Sequence, residues 1–212
     1  MIQMSISTKS LFISFEGIDG CGKSTQVNFL MDKLVNEKID SILVREPGGT
    51  PISEEIRQIL LKIRNDELAT RTEALLMTAS RAQLTKELII PALKKGTSVI
   101  ADRYKDSTVA YQGGGRNLDL DYLIQLNDFA TYGLNPDITF FIDVTIEEGN
   151  RRRNFDSPDR IEKAGMEFQE KVRDQYFELV NLFPDRFIVI DGSQSPDMIG
   201  QTIWNTIQTR TS

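Results

Sequence analysis

Short apolar runs alternate along this chain with longer stretches of helical period. Leu11-Phe12-Ile13-Ser14-Phe15 is apolar on both faces and closes at Glu16, the pattern of a buried strand. A glycine-rich turn follows, then a helical pattern over 23–37. Residues 41–44 read as a second strand. Ile52, Ile56, Ile59, Leu60 and Ile63 share one face of a helix over 52–63. The stretch 68–95 is helical throughout, with a bend expected before Pro91. Ser98-Val99-Ile100-Ala101, the run 138–144 and Phe187-Ile188-Val189-Ile190 supply three further strands. Helical patterns over 159–182 and 196–208 complete the set. Strands apolar on both faces, each followed by a helix, indicate a parallel sheet covered on both sides. The expected architecture is α/β: one doubly wound domain over 1–212 with a five-stranded parallel sheet. No internal repeat, low-complexity tract or linker interrupts it. The one shift in composition is 150–160, which holds Arg151, Arg152, Arg153 and Arg160 and little to bury. It reads as a mobile, charged loop.

Composition narrows the chemistry. Of 212 residues, 40% are hydrophobic and 26% charged, which is globular composition. Twenty-five basic against 31 acidic residues give a net charge of -6, so a nucleic acid polymer is a poor partner. A local arginine cluster for a small anion remains open. There is no histidine, which removes Ser-His-Asp triads, Cys-His pairs and histidine metal sites. The single cysteine, Cys21, can neither close an intrachain disulfide nor build a zinc site. Catalysis must rest on carboxylates, Lys, Arg, Tyr, hydroxyls, backbone amides or a hard cation. No apolar run approaches the roughly 20 residues of a membrane span, and no secretory leader is visible. The expected compartment is the cytoplasm.

Gly17-Ile18-Asp19-Gly20-Cys21-Gly22-Lys23-Ser24 matches the P-loop string, with Thr25 directly after it. A strand precedes it and a helix follows, as the mechanism requires. Its amides and the helix N-terminus would cradle phosphates. Lys23 would reach the outer phosphates from a solvated cleft, and Ser24 would bind Mg²⁺. The bland alternative is a glycine turn with an exposed lysine. Arg45-Glu46-Pro47-Gly48-Gly49-Thr50 lies at the end of the second strand and Asp102-Arg103-Tyr104 at the end of the third. Ligands bind at the carboxyl ends of parallel strands. Asp102 is therefore placed to hold Mg²⁺, and Arg45 and Arg103 to clamp a second phosphate. Equally, a strand-end Asp can cap a helix and a strand-end Arg can pair with it. No guanine-reading string occurs. A small kinase with a phosphorylated acceptor fits best; a deoxynucleoside kinase and a non-catalytic nucleotide-binding regulator stay open.

The chain resembles the thymidylate kinases, of the bacterial kind with catalytic arginines in a lid. The strings that carry the resemblance are Phe15 to Thr25, Arg45 to Thr50, Asp102-Arg103-Tyr104 with Ser107-Thr108 and Ala110 to Arg116, and Asp159-Arg160-Ile161-Glu162. They run in family order. The resemblance implies a P-loop NTPase fold, ATP and dTMP as substrates, and a helix-packed homodimer. It also implies roles: Asp19 on the sugar 3′-hydroxyl, Arg45 and Arg103 on the acceptor phosphate, Arg81 on thymine. Thr108 and Gln112 would meet the base edge, and Tyr111 would crowd the 2′ position. Glu46-Pro47 would be a cis peptide. Where family members stack a phenylalanine on thymine, this chain has Met77. Some members carry an arginine in the P-loop where this chain has Gly20, so the extra cation is expected from the lid. Arg153 is the first choice and Arg151 the second, with Arg152 turned to solvent. Gly192 to Ser195 would touch adenine or form a plain turn.

Overall fold

The computed structural model describes residues 10–63, 68–153, 160–161 and 164–211. Five strands form one sheet: β1 (Phe12–Glu16), β2 (Ser41–Arg45), β3 (Ser98–Asp102), β4 (Ile138–Asp143) and β5 (Phe187–Asp191). Their order is β2-β3-β1-β4-β5, and every pair is parallel. The central strands β1, β3 and β4 are buried along nearly their whole length, whereas the edges β2 and β5 are half-exposed. Alternation in β1 sends Phe12 to a smaller core with Val99 and Ala101. Ile13 and Phe15 enter a larger core with Ile100, Phe140 and Leu30. Each such side chain removed from water contributes roughly 1.5–3 kcal/mol before the entropy of ordering it.

Helices α1 (Lys23–Asn36), α2 (Pro51–Leu61) and α3 (Thr70–Leu84) follow the sequence pattern closely. Thr50 caps α2 by accepting Ser53 N–H at 3.2 Å, with Pro51 at the first helical position. The bend expected before Pro91 is a π-helical turn, Thr85–Ile89, between α3 and α4 (Ile90–Lys94). Pro91 has no N–H to donate, and the wider turn upstream accommodates that.

The segment after β3, to which the sequence pattern assigns no element, holds α5 (Lys105–Thr108), a π-helical Val109–Gly115 and α6 (Leu120–Ala130). Its glycines are close-contact residues; a Cβ on Gly115 would lie 2.3 Å from Phe168 Cε2. Two expectations are corrected, both after residue 149. The charged stretch expected as loop from residue 150 is helical to its third residue. There α7 (Ile146–Arg152) starts on Thr145, whose Oγ1 accepts Glu148 N–H at 3.3 Å. The helix expected from 159 begins later, as α8 (Met166–Leu182), after Gly165 at φ 88°. Asp159 and Glu162 lie outside the described residues, and Arg160-Ile161 form a turn. The chain ends in α9 (Pro196–Thr211). Among the described residues no helix is long and apolar enough to cross a membrane.

Candidate active site

Three strand ends meet level with one another: Phe15 pairs with Asp102, and Asp102 with Arg45. The loops that leave them wall a cleft of about 570 Å³, the size of a small-ligand site. Lys23, Arg45, Arg57, Arg81, Arg103 and Arg152 line it, against Asp19, Glu46 and Asp102. In a chain of net charge -6, that excess of cations in one cleft marks an anion site.

The P-loop forms one wall. Helix α1 starts at Lys23 with no side-chain cap, which leaves its first amides to a ligand. Lys23 itself is only 7% exposed. Its ammonium donates to Gly17 O at 3.1 Å, Ile18 O at 2.9 Å and Cys21 Sγ at 3.5 Å. The expectation of a solvated lysine is therefore corrected: the loop curls its carbonyls around the ammonium. Ser24 Oγ donates to Asp102 Oδ2 at 3.0 Å, so the two expected metal ligands are neighbours. Thr25 also lines the cleft, while Ile18 and Cys21 point into the core. Gly20 is dictated by α7, because a Cβ there would stand 2.1 Å from Gly149 O.

Beside it lies Arg103, whose φ of 69° is unusual for any residue but glycine. Its Nη1 donates to Gly17 O at 2.9 Å and Ser107 Oγ at 3.2 Å. Its Nη2 donates to Asp19 Oδ1 at 2.5 Å and Tyr111 OH at 2.9 Å. Burial alone would raise the Asp19 carboxyl; Arg103, Lys23 and the Tyr111 hydroxyl outweigh it and hold the group below its usual range. Arg45 is half-exposed and reaches Glu54 at 3.0 Å. Gly17 O thus accepts from both Lys23 and Arg103.

The inner end carries the residues assigned to a base. Met77 lines the cleft and also packs on the larger core. Arg81 is 2% exposed, and all five of its N–H groups go to protein acceptors. Nε and Nη2 hold Glu46 Oε2, Nη1 holds Thr108 Oγ1 at 2.7 Å and Asn127 Oδ1 at 2.6 Å, and Nη2 also holds Tyr104 O at 3.0 Å. A base contact through an Arg81 N–H therefore requires exchange of one of these bonds. Gln112 donates its amide to Glu73 Oε1 at 2.8 Å. Glu73 is buried, yet the Gln112 amide, Arg116 and Arg160 together overcome burial and keep its carboxyl low. The Glu46–Pro47 peptide is cis.

The lid arginines separate. Arg151 is 74% exposed, chelates Glu148 at 2.7 Å and does not line the cleft. Arg152, expected in solvent, lines the cleft and donates to Glu148 Oε1 at 2.5 Å and Gly192 O at 3.0 Å. The reason is the last turn of α7, which faces the loop after β5. Arg153 follows the helix, bonds Asn150 Oδ1 and lays its Cγ against Gly20 of the P-loop. Arg160 holds Glu73 Oε2 at 2.6 Å and Leu60 O at 2.9 Å.

Sequence reading passed over Arg57, Glu46 and Glu73, and gave Glu16 no role. The partners of Glu46, Glu73 and Glu16 lie far along the chain, so local periodicity carries no signal for them. Arg57 alone had a cue, a charge on the helix that follows Arg45 to Thr50.

A phosphate cradle facing an arginine-lined second site across one sheet edge defines a P-loop kinase with a phosphorylated small-molecule acceptor. The family model for thymidylate kinase matches residues 15–203. A thymidylate kinase of Caldanaerobacter subterraneus is 52% identical over 183 residues, covering 86% of this chain and 88% of that protein. One of Thermosipho melanesiensis is 48% identical over 199 residues, covering 94% and 98%. The crystal structure of thymidylate kinase from Ehrlichia chaffeensis superposes with a TM-score of 0.78 at 34% identity, covering 94% of this chain and 99% of that one. The chain belongs to the thymidylate kinase family.

Proposed function

We infer that this protein transfers the γ-phosphoryl group of ATP to dTMP, giving dTDP and ADP, a step of dTTP synthesis. The supporting observation is the shared carbonyl: Lys23 Nζ and Arg103 Nη1 both reach Gly17 O, at 3.1 and 2.9 Å. A cation for the donated phosphate and one for the accepting phosphate thus stand side by side. Lys23 and the P-loop amides of 17–25 bind the donor. Arg103 and Arg45 hold the acceptor phosphate, and Asp19 takes the sugar 3′-hydroxyl beside Tyr111. Met77 covers thymine, with Arg81, Thr108 and Gln112 at its edge.

Ser24 and Asp102 fit Mg²⁺: two hard oxygen donors 3.0 Å apart, with phosphates and waters left to fill the shell. When held there by Ser24 and Asp102, the ion would supply positive charge that offsets the negative charge of the phosphates. The protein's own work is positioning and charge neutralisation, without a covalent intermediate. Arg103 and Lys23 fix the two phosphates in line. Arg153, against Gly20, adds positive charge to the transferred group, with Arg151 as second candidate. We read 1–212 as one domain whose 150–160 segment acts as its lid; 154–159 lie outside the described residues.

A homodimer fits the exposed apolar side chains of two helices that pack together, Leu75 on α3 with Tyr122 and Phe129 on α6. A cytoplasmic setting fits the unpaired thiol of Cys21. A coupled ADP-release assay with dTMP, dUMP, dCMP, dAMP and thymidine tests the reading. Turnover fastest with dTMP and absent with thymidine is expected. Thymidine as the better acceptor would make the protein a nucleoside kinase, and no ADP with any acceptor would leave a binding protein.

A further inference from the structure

Glu16 closes β1 one residue before the P-loop and is fully buried. No step above uses it. A buried carboxylate is retained only where donors satisfy it. Its Oε1 accepts Tyr104 N–H at 2.8 Å. Its Oε2 accepts the hydroxyls of Ser107 at 2.6 Å and Tyr176 at 2.9 Å. Two of these donors belong to the segment that carries Arg103.

The Tyr104 amide is the peptide directly after Arg103. The peptide before it donates from Arg103 N to Phe15 O at 3.0 Å. Consecutive residues of β1 therefore grip Arg103 on both sides. Between them its φ of 69° holds a non-glycine residue in the left-handed region, which persists only where the surroundings impose it. Ser107 supplies a second link. Its hydroxyl hydrogen goes to Glu16, which leaves a lone pair to accept Arg103 Nη1 at 3.2 Å.

We infer that Glu16 is a positioning residue for the acceptor phosphate: through Tyr104 N–H and Ser107 Oγ it fixes the backbone and the guanidinium of Arg103. The inference rests on the reading of Arg103 as an acceptor-phosphate contact. Glu16 touches no substrate. Its action is read out only through Arg103.

The test is a double-mutant cycle. Glu16→Gln and Ser107→Ala are each made in the wild type and in Arg103→Met. Kd for dTMP and for ADP is measured by titration calorimetry, with melting temperatures alongside. Glu16→Gln is expected to weaken dTMP about tenfold, the effect of losing one hydrogen bond that serves a charged group. Ser107→Ala is expected to weaken it about threefold, and ADP binding to stay within about twofold in both. In Arg103→Met neither substitution changes dTMP binding beyond about twofold, because the residue they act through is gone. The same fold-change in both backgrounds would overturn the inference. So would a lower melting temperature with dTMP affinity unchanged. If Glu16→Gln is not recovered folded, Ser107→Ala in the two backgrounds decides by the same criteria. Absence of dTMP phosphorylation by the wild type would overturn the functional reading instead.

Discussion

Lys23 ties its loop together from the position proposed for the donor phosphate. Its ammonium satisfies Gly17 O and Ile18 O from a site that is 7% exposed. Lys23→Ala should abolish most turnover and cost at most about 1 kcal/mol of stability, since Gly17 O keeps Arg103 Nη1 and Ile18 O keeps Cys21 N–H. Near-normal phosphoryl transfer in that variant would contradict the P-loop role. Arg45 and Arg103 differ in how firmly they are held. Arg103 is fixed by Gly17 O, Ser107, Asp19 and Tyr111, whereas Arg45 is half-exposed on Glu54. Arg103→Lys should therefore raise the dTMP KM by about tenfold or more, because an ammonium cannot reproduce the planar fork. Arg45→Lys should raise it less; equal effects, or loss of melting temperature alone, would make both residues structural.

The Glu16 carboxyl gives a pH signature at the same scale. Burial, then the nearby Asp106, raise it from 4.5 to about 7, against the Ser107 hydroxyl, Arg103 and the Tyr104 amide. A folded-state value above the unfolded one means that folding binds a proton. That contribution is complete below the unfolded value and lost as pH rises through about 7. Wild-type stability should thus fall relative to Glu16→Gln by roughly 3 kcal/mol between about pH 5 and pH 8. Denaturant midpoints of the two proteins across that range check it, and parallel curves would show that Glu16 is ionised throughout. In the sequence, Glu16 was only the end of an apolar run. Its partner Tyr176 is 160 residues away, so nothing local could reveal the pair.

At the level of elements, the five strands and the helices beside them were legible because each is a continuous apolar run or a periodic face. The π-helical Val109–Gly115 was not, since three consecutive glycines read as a breaker until α8 is seen pressed against them. α6 did carry a readable cue, Asp119 capping Tyr122 N–H at 2.8 Å ahead of Leu120 and Leu123. The fan of arginines at the end of α7 could be anticipated from helix geometry, but not its direction. That depends on Gly149 meeting the P-loop at Gly20, a contact between residues 129 positions apart. With α7 seated there, Arg153→Ala should lower kcat by about 10²-fold or more, as the loss of an arginine finger does, with little change in dTMP KM. Arg152→Ala should act on ATP instead, because its guanidinium spans Glu148 and Gly192 O. Steady-state kinetics with each substrate varied separate the two. Small, equal effects at both positions would remove the lid from the mechanism.

Across the whole molecule, charge is distributed against the average. The chain carries -6, yet its cleft is lined by Lys23, Arg45, Arg57, Arg81 and Arg152 from five elements and by Arg103 from the loop after β3. Composition and the order of the strings are legible along the chain. They do not say that Arg57 and Arg152 join Arg45, Arg81 and Arg103 around one volume, because that follows from the sheet order β2-β3-β1-β4-β5. That topology sets the P-loop beside the ends of β2 and β3, so the proposed donor and acceptor phosphate sites share one wall. The most direct measurement is a ³¹P NMR time course of the wild-type protein with ATP, Mg²⁺ and dTMP. The dTMP resonance should give way to the α and β resonances of dTDP while ADP grows in equal amount. ADP accompanied by inorganic phosphate, with dTMP unchanged, would mean hydrolysis without transfer and would contradict the account.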